Sequence, residues 1–394
     1  MVIERTLRAS LKKLASLYPV VTVTGPRQSG KTTLCRSCFP DLEYVSLEPL
    51  DFREDARLDP RGFLEEHRRG VIIDEVQHVP ELLSYIQTEV DERRRPGRFI
   101  LTGSQHLGLL ASVTQSLAGR TAVLHLLPPS LKELARFPDA PTALLDVLWT
   151  GAYPAIQDQR IPADRWYRDY VTTYVQRDVS QVLEIGNLRT FGTFLRLCAG
   201  RTGQVLNLSS LGSDAGISHN TAKSWLSVLE TGFLTHRLPP WHRNLKKRMT
   251  KTPKLHLFDS GLACYLLRIR SPQELRYHPL RGAIFESWVV SEVLKARYHN
   301  GLEEDTFFFR DHKGLEIDLV LERGDADVLV EVKSGATVSS DAIANLQRVE
   351  ALMEAAAGPA AKKVLVYGGS RHTTRNGVNI LPWSQVQDFD WVGP

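Results

Sequence analysis

The sequence predicts an α/β fold in which a mostly parallel sheet is covered by helices and is followed by a helical region and a second α/β region. Three observations predict it. Short β-branched runs alternate with amphipathic stretches between residues 20 and 127, strand signals stop over 131–187, and strands and helices mix again from residue 281. Alternating strands and helices are typical of a parallel sheet that is buried on both faces.

Five runs account for the predicted sheet of the first region. They are Val20–Thr24, Glu43–Leu47, Val71–Asp74, Arg98–Thr102 and Ala122–Leu126. After them, apolar residues recur at helical spacing up to residue 187, which predicts a helical lid. The strand candidates of the last region are Phe307–Phe309, Glu316–Glu322, Val328–Lys333 and Lys362–Tyr367.

Length and composition are those of a globular protein with two or three domains, since the chain has 394 residues, of which 42% are hydrophobic and 24% charged. No stretch approaches the roughly 20 apolar residues of a membrane span, and we expect a cytoplasmic protein without membrane association. The net charge of +4 permits a nucleic-acid partner without requiring one. Cys35 and Cys38 form a CxxC pair without a second pair, so we expect them to pack rather than bind metal.

A glycine-rich loop follows the first run and precedes a predicted helix. It satisfies G-x-x-x-x-G-K-[ST] with Gly25, Pro26, Arg27, Gln28, Ser29, Gly30, Lys31 and Thr32, and Thr33 follows. The backbone N–H groups of such a loop surround phosphates, its lysine contacts the β- and γ-phosphates, and its threonine ligates Mg²⁺. The loop therefore predicts an ATP site with Mg²⁺ as a cofactor.

Two carboxylates end the third run. We expect Asp74 to hold the magnesium shell and Glu75 to polarise the attacking water, because these residues follow a buried strand about forty positions after the loop. Either motif alone could be a glycine turn or a solvated strand end. Together and in this order they predict ATP binding and hydrolysis.

These motifs carry a family resemblance. The segments Thr24–Thr33, Ile73–Gln77, Leu101–Gln105, Tyr174–Asp178, Lys254–Leu262 and Phe285–Glu286 span nearly the whole chain. Their combination resembles bacterial and archaeal AAA+ ATPases, of the AAA_14-like kind, whose C-terminal part is the nuclease-related DUF4143 domain. The resemblance implies an AAA+ module, a helical lid, a winged helix and a C-terminal α/β domain of the PD-(D/E)xK nuclease-like fold.

The resemblance also implies assembly into a homo-oligomer in which an arginine of one subunit completes the catalytic site of its neighbour. Arg120 is the candidate for this finger, and Arg177 is the alternative. Thr102 or Ser104, at the end of the fourth run, would be the polar sensor near the γ-phosphate. The alternative for Arg120 is a surface salt bridge.

A helix-turn-helix pattern lies in Leu208–Ala215 and His219–Leu229, with Ser218 as the N-cap of the second helix and a strand-like Thr231–Thr235 after it. We expect Lys223 to lie on the exposed face of the second helix. A basic stretch follows, with Arg243, Lys246, Lys247, Arg248, Lys251 and Lys254. These cations predict contacts to DNA phosphates rather than to base edges, and a protein-binding role is the alternative.

Acidic residues alternate with aliphatic ones near the C-terminus, so Glu316 and Asp318 share one strand face and Glu331 and Lys333 share another. Carboxylate oxygens suit Mg²⁺ or Mn²⁺, and we expect Asp318 and Glu331 to hold the ion while Lys333 stabilises charge on a phosphoryl group. This pattern resembles the PD-(D/E)xK core, with Glu286 as the acidic residue of the preceding helix and Ile317 where the motif has proline. The alternative is a half-buried strand pair without chemistry.

The expected segments are an ATPase core over 1–130, a helical lid over 131–187, a winged helix with a basic tail over 188–255, and a nuclease-like domain over 256–394. The leading functional hypothesis is an ATPase that binds DNA and cleaves it through the C-terminal domain. A regulatory ATP switch that binds DNA or a protein partner without cutting is the second hypothesis. A chaperone-like remodeller of proteins is the third.

Overall fold

A computed structural model describes residues 2–104, 116–175, 187–241, 252–323, 326–355 and 361–393. The chain divides into two compact units. Unit 1 comprises Met1–Pro129, Thr231–Phe233 and Tyr298–Leu302, and unit 2 comprises Ser130–Glu230, Leu234–Arg297 and Glu303–Pro394. No helix in the described part of the chain has the length and apolarity that crossing a membrane requires.

Unit 1 contains a five-stranded parallel sheet. Its strands are β1 (Val20–Gly25), β2 (Glu43–Ser46), β3 (Val71–Asp74), β4 (Phe99–Ser104) and β5 (Thr121–His125). The order across the sheet is β2-β3-β4-β1-β5. The five predicted strands and their parallel arrangement are therefore confirmed, with bounds that shift by one or two residues.

Helices cover both faces of this sheet. They are α1 (Leu7–Ala15), α2 (Lys31–Cys38), α3 (Leu50–Leu58), α4 (Pro60–Glu66) and α5 (Leu82–Glu92). Successive strand residues point to opposite faces, so Ile72 packs with α1 and α2, whereas Val71 and Ile73 pack with α3, α4 and α5. Cys35 and Cys38 are buried in the first of these cores as free thiols, which agrees with a packing role.

The first part of unit 2 is helical, as predicted, throughout its described residues up to 175. Its elements are α6 (Leu131–Leu134), α7 (Leu144–Thr150), α8 (Pro154–Asp158), α9 (Ala163–Tyr170) and a π-helix (Val171–Val175). Aromatic rings in stacked and edge-to-face contacts fill its core, and the Tyr167 hydroxyl donates a hydrogen bond of 2.5 Å to Asp259. This core is continuous with that of the helix-turn-helix that follows.

The helix-turn-helix pattern is confirmed. Its elements are α10 (Leu188–Gly200), β6 (Gln204–Val205), α11 (Leu208–Ala215), α12 (His219–Thr231), β7 (Thr235–Leu238) and β8 (Lys254–Leu257). Gly216 ends α11 with φ +70°, and the Ser218 hydroxyl accepts a bond from the Thr221 N–H, as expected of an N-cap. The three strands pair antiparallel in the order β6-β8-β7.

The strand predicted at Thr231–Thr235 is wrong. Helix α12 continues to Thr231, and β7 begins only at Thr235. Phe233 has a left-handed backbone with φ +54°, and the Leu234 N–H donates back to the Leu229 carbonyl. The segment therefore forms a helix end and a turn, and only its last residue, Thr235, belongs to a strand, because the turn closes on the helix before extended pairing can begin.

The last part of unit 2 is a six-stranded mixed sheet with helices. The elements are α13 (Ser260–Leu266), α14 (Pro272–Tyr277), α15 (Arg281–Tyr298), β9 (Thr306–Arg310), β10 (Glu316–Leu321), β11 (Val328–Lys333), α16 (Ser340–Ala355), β12 (Lys362–Tyr367), β13 (Thr373–Arg375) and β14 (Val378–Pro382). The order is β13-β14-β12-β11-β10-β9, with β9, β10 and β11 antiparallel and β11, β12 and β14 parallel. The four predicted strands are confirmed.

Candidate functional site

The glycine-rich loop of unit 1 has the backbone that its glycines permit. Gly25 has φ +150°, and a β-carbon there would lie 2.2 Å from the carbonyl oxygen of Leu126. Gly30 is left-handed at φ +96° and is the N-cap of α2. Only glycine fits the first position, and the loop delivers the chain directly into the N-terminus of a helix, where anions bind favourably.

Lys31 lies inside this loop. Its ammonium donates to the carbonyls of Gly25 and Pro26 at 3.1 and 2.9 Å, and the residue is 5% exposed. Burial lowers the pKa of Lys31, and the carboxylates of Glu75 and Asp74 offset part of that effect. The ammonium is thus held in the loop by two neutral carbonyl acceptors. A negatively charged phosphate oxygen would be a stronger acceptor and could take their place.

The remaining loop side chains fit an anionic ligand. The Ser29 hydroxyl is buried and has no hydrogen-bond partner among the described residues, which is uncommon for a buried polar atom. Arg27 is partly exposed 3.9 Å from Glu48, Gln28 is left-handed at φ +62°, and Thr33 is exposed on the first turn of α2. A nucleotide phosphate would supply the acceptor that Ser29 lacks.

Asp74 accepts hydrogen bonds from three other elements of the site. Its carboxylate accepts hydrogen bonds from Thr32 Oγ1 at 2.9 Å, from Tyr44 Oη at 2.8 Å and from the Thr102 hydroxyl. These residues belong to α2, β2, β3 and β4, and the carboxyl ends of parallel strands lie at one edge of the sheet. The structure therefore brings together three of the predicted residues, Thr32, Asp74 and Thr102.

Glu75 follows Asp74 with a left-handed backbone, φ +56°, and its carboxylate accepts a hydrogen bond from the Gln77 amide. The carboxylate of Glu75 also raises the pKa of Lys31 against the effect of burial, so Glu75 lies near the loop. Ser104 ends β4, and its side chain lies outside the described residues.

Two side chains of this site were missed by the sequence analysis. Tyr44 contacts Asp74, and burial together with this hydrogen bond raises the pKa of Tyr44 to about 12. Arg5 is buried behind the loop and donates to the carbonyls of Ser29 and Leu127 at 2.9 and 2.7 Å. Neither residue belongs to a motif, and only the strand order of the sheet could have suggested Tyr44.

Arg120 directly precedes β5 and therefore lies at the amino ends of the parallel strands, whereas the loop lies at their carboxyl ends. The Val20 N–H donates to the Arg120 carbonyl at 3.3 Å, so Arg120 neighbours the start of β1, whereas the loop follows its end. Its guanidinium pairs with both oxygens of Asp91, at 2.6 and 2.8 Å. Arg120 therefore lies away from the loop of its own chain. Arg177 lies outside the described residues.

The second helix of the helix-turn-helix presents a polar face. His219, Asn220, Lys223 and Ser224 are exposed on α12, whereas Ala222, Trp225 and Leu226 are buried. The predicted phosphate-binding residues of the basic stretch lie outside the described residues, namely Arg243, Lys246, Lys247, Arg248 and Lys251.

A cavity of about 590 Å³ opens in the helical part of unit 2. Four arginines line it, Arg168, Arg196, Arg268 and Arg270, and none of them forms an ion pair with a described residue. Unpaired cations around a cavity favour an anionic ligand or partner.

The predicted C-terminal residues also come together. Leu319 of β10 pairs with Val330 of β11, which sets Asp318 beside Glu331. Lys333 Nζ lies 2.6 Å from Glu331 Oε1, and the Val332 N–H donates to Asp318 Oδ2 at 2.8 Å. Burial and the neighbouring Asp318 raise the pKa of Glu331 to about 7.

Lys254 corrects the sequence analysis. It was grouped with the exposed basic stretch, but it is 2% exposed and its ammonium lies 2.9 Å from Glu286, 2.5 Å from Glu316 and 3.7 Å from Asp318. Burial lowers the pKa of Lys254, but the three carboxylates outweigh burial and raise it overall. β8 is the central strand of the three-stranded sheet formed by β6, β8 and β7, which we call the small sheet. Lys254, its first residue, therefore contacts the carboxylates and not solvent.

Glu286 of α15 lies in this same cluster, and burial together with Asp318 raises the pKa of Glu286 to about 8 while Lys254 opposes the rise. Asp318 and Glu331 were expected to hold a metal ion. Within the described residues, no three His, Cys, Asp or Glu side chains form a group that could hold one. A lysine ammonium lies among the carboxylates instead.

Comparisons with known protein families match three regions of the chain. Residues 17–135 match the AAA domain, residues 281–386 match a domain of unknown function, DUF4143, and residues 141–273 match another, DUF8612. The AAA match contains the loop, Asp74, Glu75 and Arg120. The DUF4143 match contains Glu286 and the carboxylates of the six-stranded sheet.

Relatives that match most of the chain occur in mycobacteria. The uncharacterized proteins Rv2008c of Mycobacterium tuberculosis and Mb2031c of Mycobacterium bovis are each 30% identical over 349 residues, covering 86% of this chain and 76% of theirs. Among solved structures, a Walker-type ATPase of Pyrococcus abyssi is 16% identical, with TM-score 0.45 over 67% of this chain and 96% of that one. The RuvB Holliday junction branch migration motor of Thermotoga maritima is 19% identical, with TM-score 0.28 over 59% of this chain and 87% of that one.

Proposed function

Because the chain belongs to the family of AAA-domain ATPases that carry a DUF4143 domain, we propose that it binds ATP with Mg²⁺ at the glycine-rich loop and that ATP controls its binding to DNA. The observation that carries the proposal is the shared carboxylate of Asp74, which accepts from both Thr32 and Thr102. Such a carboxylate can hold the water shell of a Mg²⁺ ion ligated by Thr32. Lys31 then contacts the phosphates and Glu75 orients the attacking water.

The proposal is that ATP controls DNA binding by promoting the assembly of several copies of the chain. Arg120 lies at the amino ends of the strands, opposite its own loop, and is partly exposed, which suits a residue that acts on a neighbouring chain. Its ion pair with Asp91 is at the surface, where such pairs contribute little to stability, so Arg120 can leave Asp91 easily. An assembly formed around ATP would join several helix-turn-helix segments on one DNA, and linked weak sites bind more tightly than single ones.

DNA is the proposed partner because unit 2 offers two cationic features. One is the exposed face of α12 with Lys223, and the other is the cavity lined by four arginines without described ion-pair partners. The basic stretch of residues 243–248 belongs to the same proposal. Contacts of this kind recognise phosphates rather than sequence.

ATP turnover in the presence of different polymers tests the choice of partner. We expect double-stranded DNA of any sequence to stimulate hydrolysis, with a stimulation that declines as salt increases. A denatured polypeptide serves as the matched control. Stimulation by the polypeptide and not by DNA would favour the protein remodeller.

A second candidate function is metal-dependent cleavage of nucleic acid. The assembly of Asp318, Glu331 and Lys333 on neighbouring strands favours it, together with Glu286 on the helix that precedes them. The proposed chemistry is that Asp318 and Glu331 hold Mg²⁺ or Mn²⁺ while Lys333 stabilises charge on the phosphoryl oxygens.

Incubation with DNA and RNA in Mg²⁺ or Mn²⁺, with and without ATP, tests cleavage. We expect Asp318→Ala, Glu331→Ala and Lys333→Ala each to abolish cutting and to leave ATP hydrolysis intact. If the wild-type protein cuts nothing under all of these conditions, the C-terminal domain is a binding module and the non-cleaving switch stands alone.

A further inference from the structure

The carboxylate cluster of the six-stranded sheet already contains a cation. The Lys254 ammonium lies 2.9, 2.5 and 3.7 Å from oxygens of Glu286, Glu316 and Asp318. Three carboxylates surround one buried nitrogen, since Lys254 is 2% exposed, while Glu316 at the outer side of the network is 28% exposed. The ammonium therefore neutralises the cluster from within the chain.

Two neighbouring elements fix the position of Lys254. As the first residue of β8, it pairs with Leu238 of β7. The chain after β7 then runs along β9, where the Phe308 N–H donates to the Pro239 carbonyl at 2.9 Å and the Phe308 carbonyl accepts from the Trp241 N–H at 2.5 Å. The Phe308 ring lies 5.4 Å from the ammonium. The backbone of Lys254 thus pairs within the small sheet, whereas its ammonium contacts carboxylates of the six-stranded C-terminal sheet.

One carboxylate of the cluster remains incompletely satisfied. Glu331 is 4% exposed, and its Oε2 is buried without a hydrogen-bond partner among the described residues, while its Oε1 is held by Lys333. A buried carboxylate oxygen without a donor is costly. It is the kind of group that a divalent cation beside Asp318 would satisfy.

The ammonium and a divalent ion compete for the same place. An ion bound between Glu286 and Asp318 would lie close to the ammonium, which is 2.9 Å from an oxygen of Glu286 and 3.7 Å from an oxygen of Asp318. A doubly charged ion beside a buried ammonium would also meet strong repulsion in this interior. Charge repulsion therefore favours occupation of the cluster by one of the two cations.

We propose that Lys254 is an internal cation that occupies the divalent-metal position of this cluster, so that the C-terminal site takes up Mn²⁺ or Mg²⁺ only after Lys254 has left it. The inference rests on the carboxylate site of the second candidate function and not on cleavage itself. Departure of Lys254 requires that the start of β8 move, which makes the small sheet the element that controls metal entry.

Mn²⁺ binding measured by electron paramagnetic resonance, without nucleotide or nucleic acid, tests the proposal. All proteins carry Asp74→Asn, which removes a metal contribution from the ATP site. In this background we expect Lys254→Met to bind an additional Mn²⁺ that Asp318→Asn then abolishes. Lys254→Arg is the matched control, because it keeps the cation and should bind no additional Mn²⁺.

Two results would overturn the proposal. In the first, the unsubstituted Lys254 protein binds Mn²⁺ in a manner that Asp318→Asn abolishes, which would mean that metal and lysine coexist. In the second, folded Lys254→Met gains no Mn²⁺, which would mean that the lysine is a structural ion-pair partner only. The first measurement does not depend on the folding of any Lys254 variant.

Removal of one partner from a buried ion-pair network is destabilising, so the Lys254→Met protein is also followed by circular dichroism during a Mn²⁺ titration. Folding that Mn²⁺ restores supports the proposal, and a chain that stays unfolded at every Mn²⁺ concentration contradicts it. These Mn²⁺ measurements contain no DNA and are therefore independent of cleavage. If Lys254→Met gains Mn²⁺ and the separate incubation with DNA and RNA detects no cutting, the nuclease function is rejected and this inference stands.

Discussion

The hydroxyl of Thr32 donates a hydrogen bond of 2.9 Å to Asp74, although 42 positions separate the two residues in the sequence. Thr32 lies in the first turn of α2 and Asp74 ends β3, with β4 between that strand and β1. The sheet order therefore brings the loop and the acidic strand end to one point. Tyr44, from the neighbouring strand β2, donates to the same carboxylate.

The Asp74 contacts predict different outcomes for two substitutions. Tyr44→Phe should lower the free energy of unfolding by about 1.5 kcal/mol, because it removes a hydrogen bond to a charged group, and should leave nucleotide binding in place. Asp74→Asn should abolish Mg²⁺-dependent hydrolysis. Chemical denaturation and calorimetry with ATP measure both effects. Loss of nucleotide binding in Tyr44→Phe would assign that hydroxyl a direct part in the site.

Arg120 is predicted to act on a neighbouring chain. Arg120→Ala should reduce ATP turnover by a factor on the order of 10³ without weakening nucleotide binding. Mixing it with Lys31→Ala should restore part of the activity, because each mixed interface can combine an intact arginine with an intact loop. Asp91→Asn is the control, since it releases Arg120 without removing it and should remain active. Absence of any recovery in mixed assemblies would contradict action between chains.

The basic stretch is predicted to hold DNA phosphates. Charge reversal of Lys246, Lys247 and Arg248 should weaken binding equally for unrelated DNA sequences. Each lost phosphate contact should flatten the slope of log affinity against log salt by about 0.9. Charge reversal of Lys12 and Lys13, which are exposed on α1, is the matched control. An unchanged salt slope would mean that the stretch is only solvated surface.

His125 predicts a pH dependence of stability. Burial lowers the pKa of His125 to about 4, and its ring accepts or donates a bond of 2.8 Å with the Thr24 hydroxyl. An unfolded histidine titrates near 6.5, so the unfolded state binds the proton first and stability falls as pH drops from about 6.5 towards 4. The loss should be on the order of 1 to 3 kcal/mol. Denaturant unfolding of the wild type and His125→Gln over this range measures it, and equal pH profiles would contradict the assignment.

Much of the fold follows from local patterns. The β-branched runs that became β1, β3 and β11 are short, apolar and bounded by turn residues, and the glycine-rich loop is recognisable because few sequences satisfy its spacing. The strands β13 and β14 were missed. Thr373–Arg375 is short and largely exposed, so neither length nor burial marked it in the sequence.

The error over Lys254 has a different origin. In the sequence, Lys254 ends a run of cations and is indistinguishable from its exposed neighbours. Its burial depends on the pairing of β8 with β7 and on the proximity of Glu286 and Glu316, which are 32 and 62 positions away. Arg5 is a similar case, because its contacts to Ser29 and Leu127 depend on the packing of the sheet. Tertiary pairing of single charged residues leaves no periodic signal in a sequence.

The DNA affinity of two ATP-site variants tests the control of DNA binding by ATP most directly. Lys31→Ala should fail to bind ATP, and Glu75→Gln should bind it without hydrolysis, because one side chain contacts phosphate and the other orients the water. With ATP present, Glu75→Gln should therefore bind DNA more tightly than Lys31→Ala, by a factor on the order of 10² if assembly joins several DNA-binding segments. Equal DNA affinities in the two variants, with ATP binding lost in the first and retained in the second, would contradict the account.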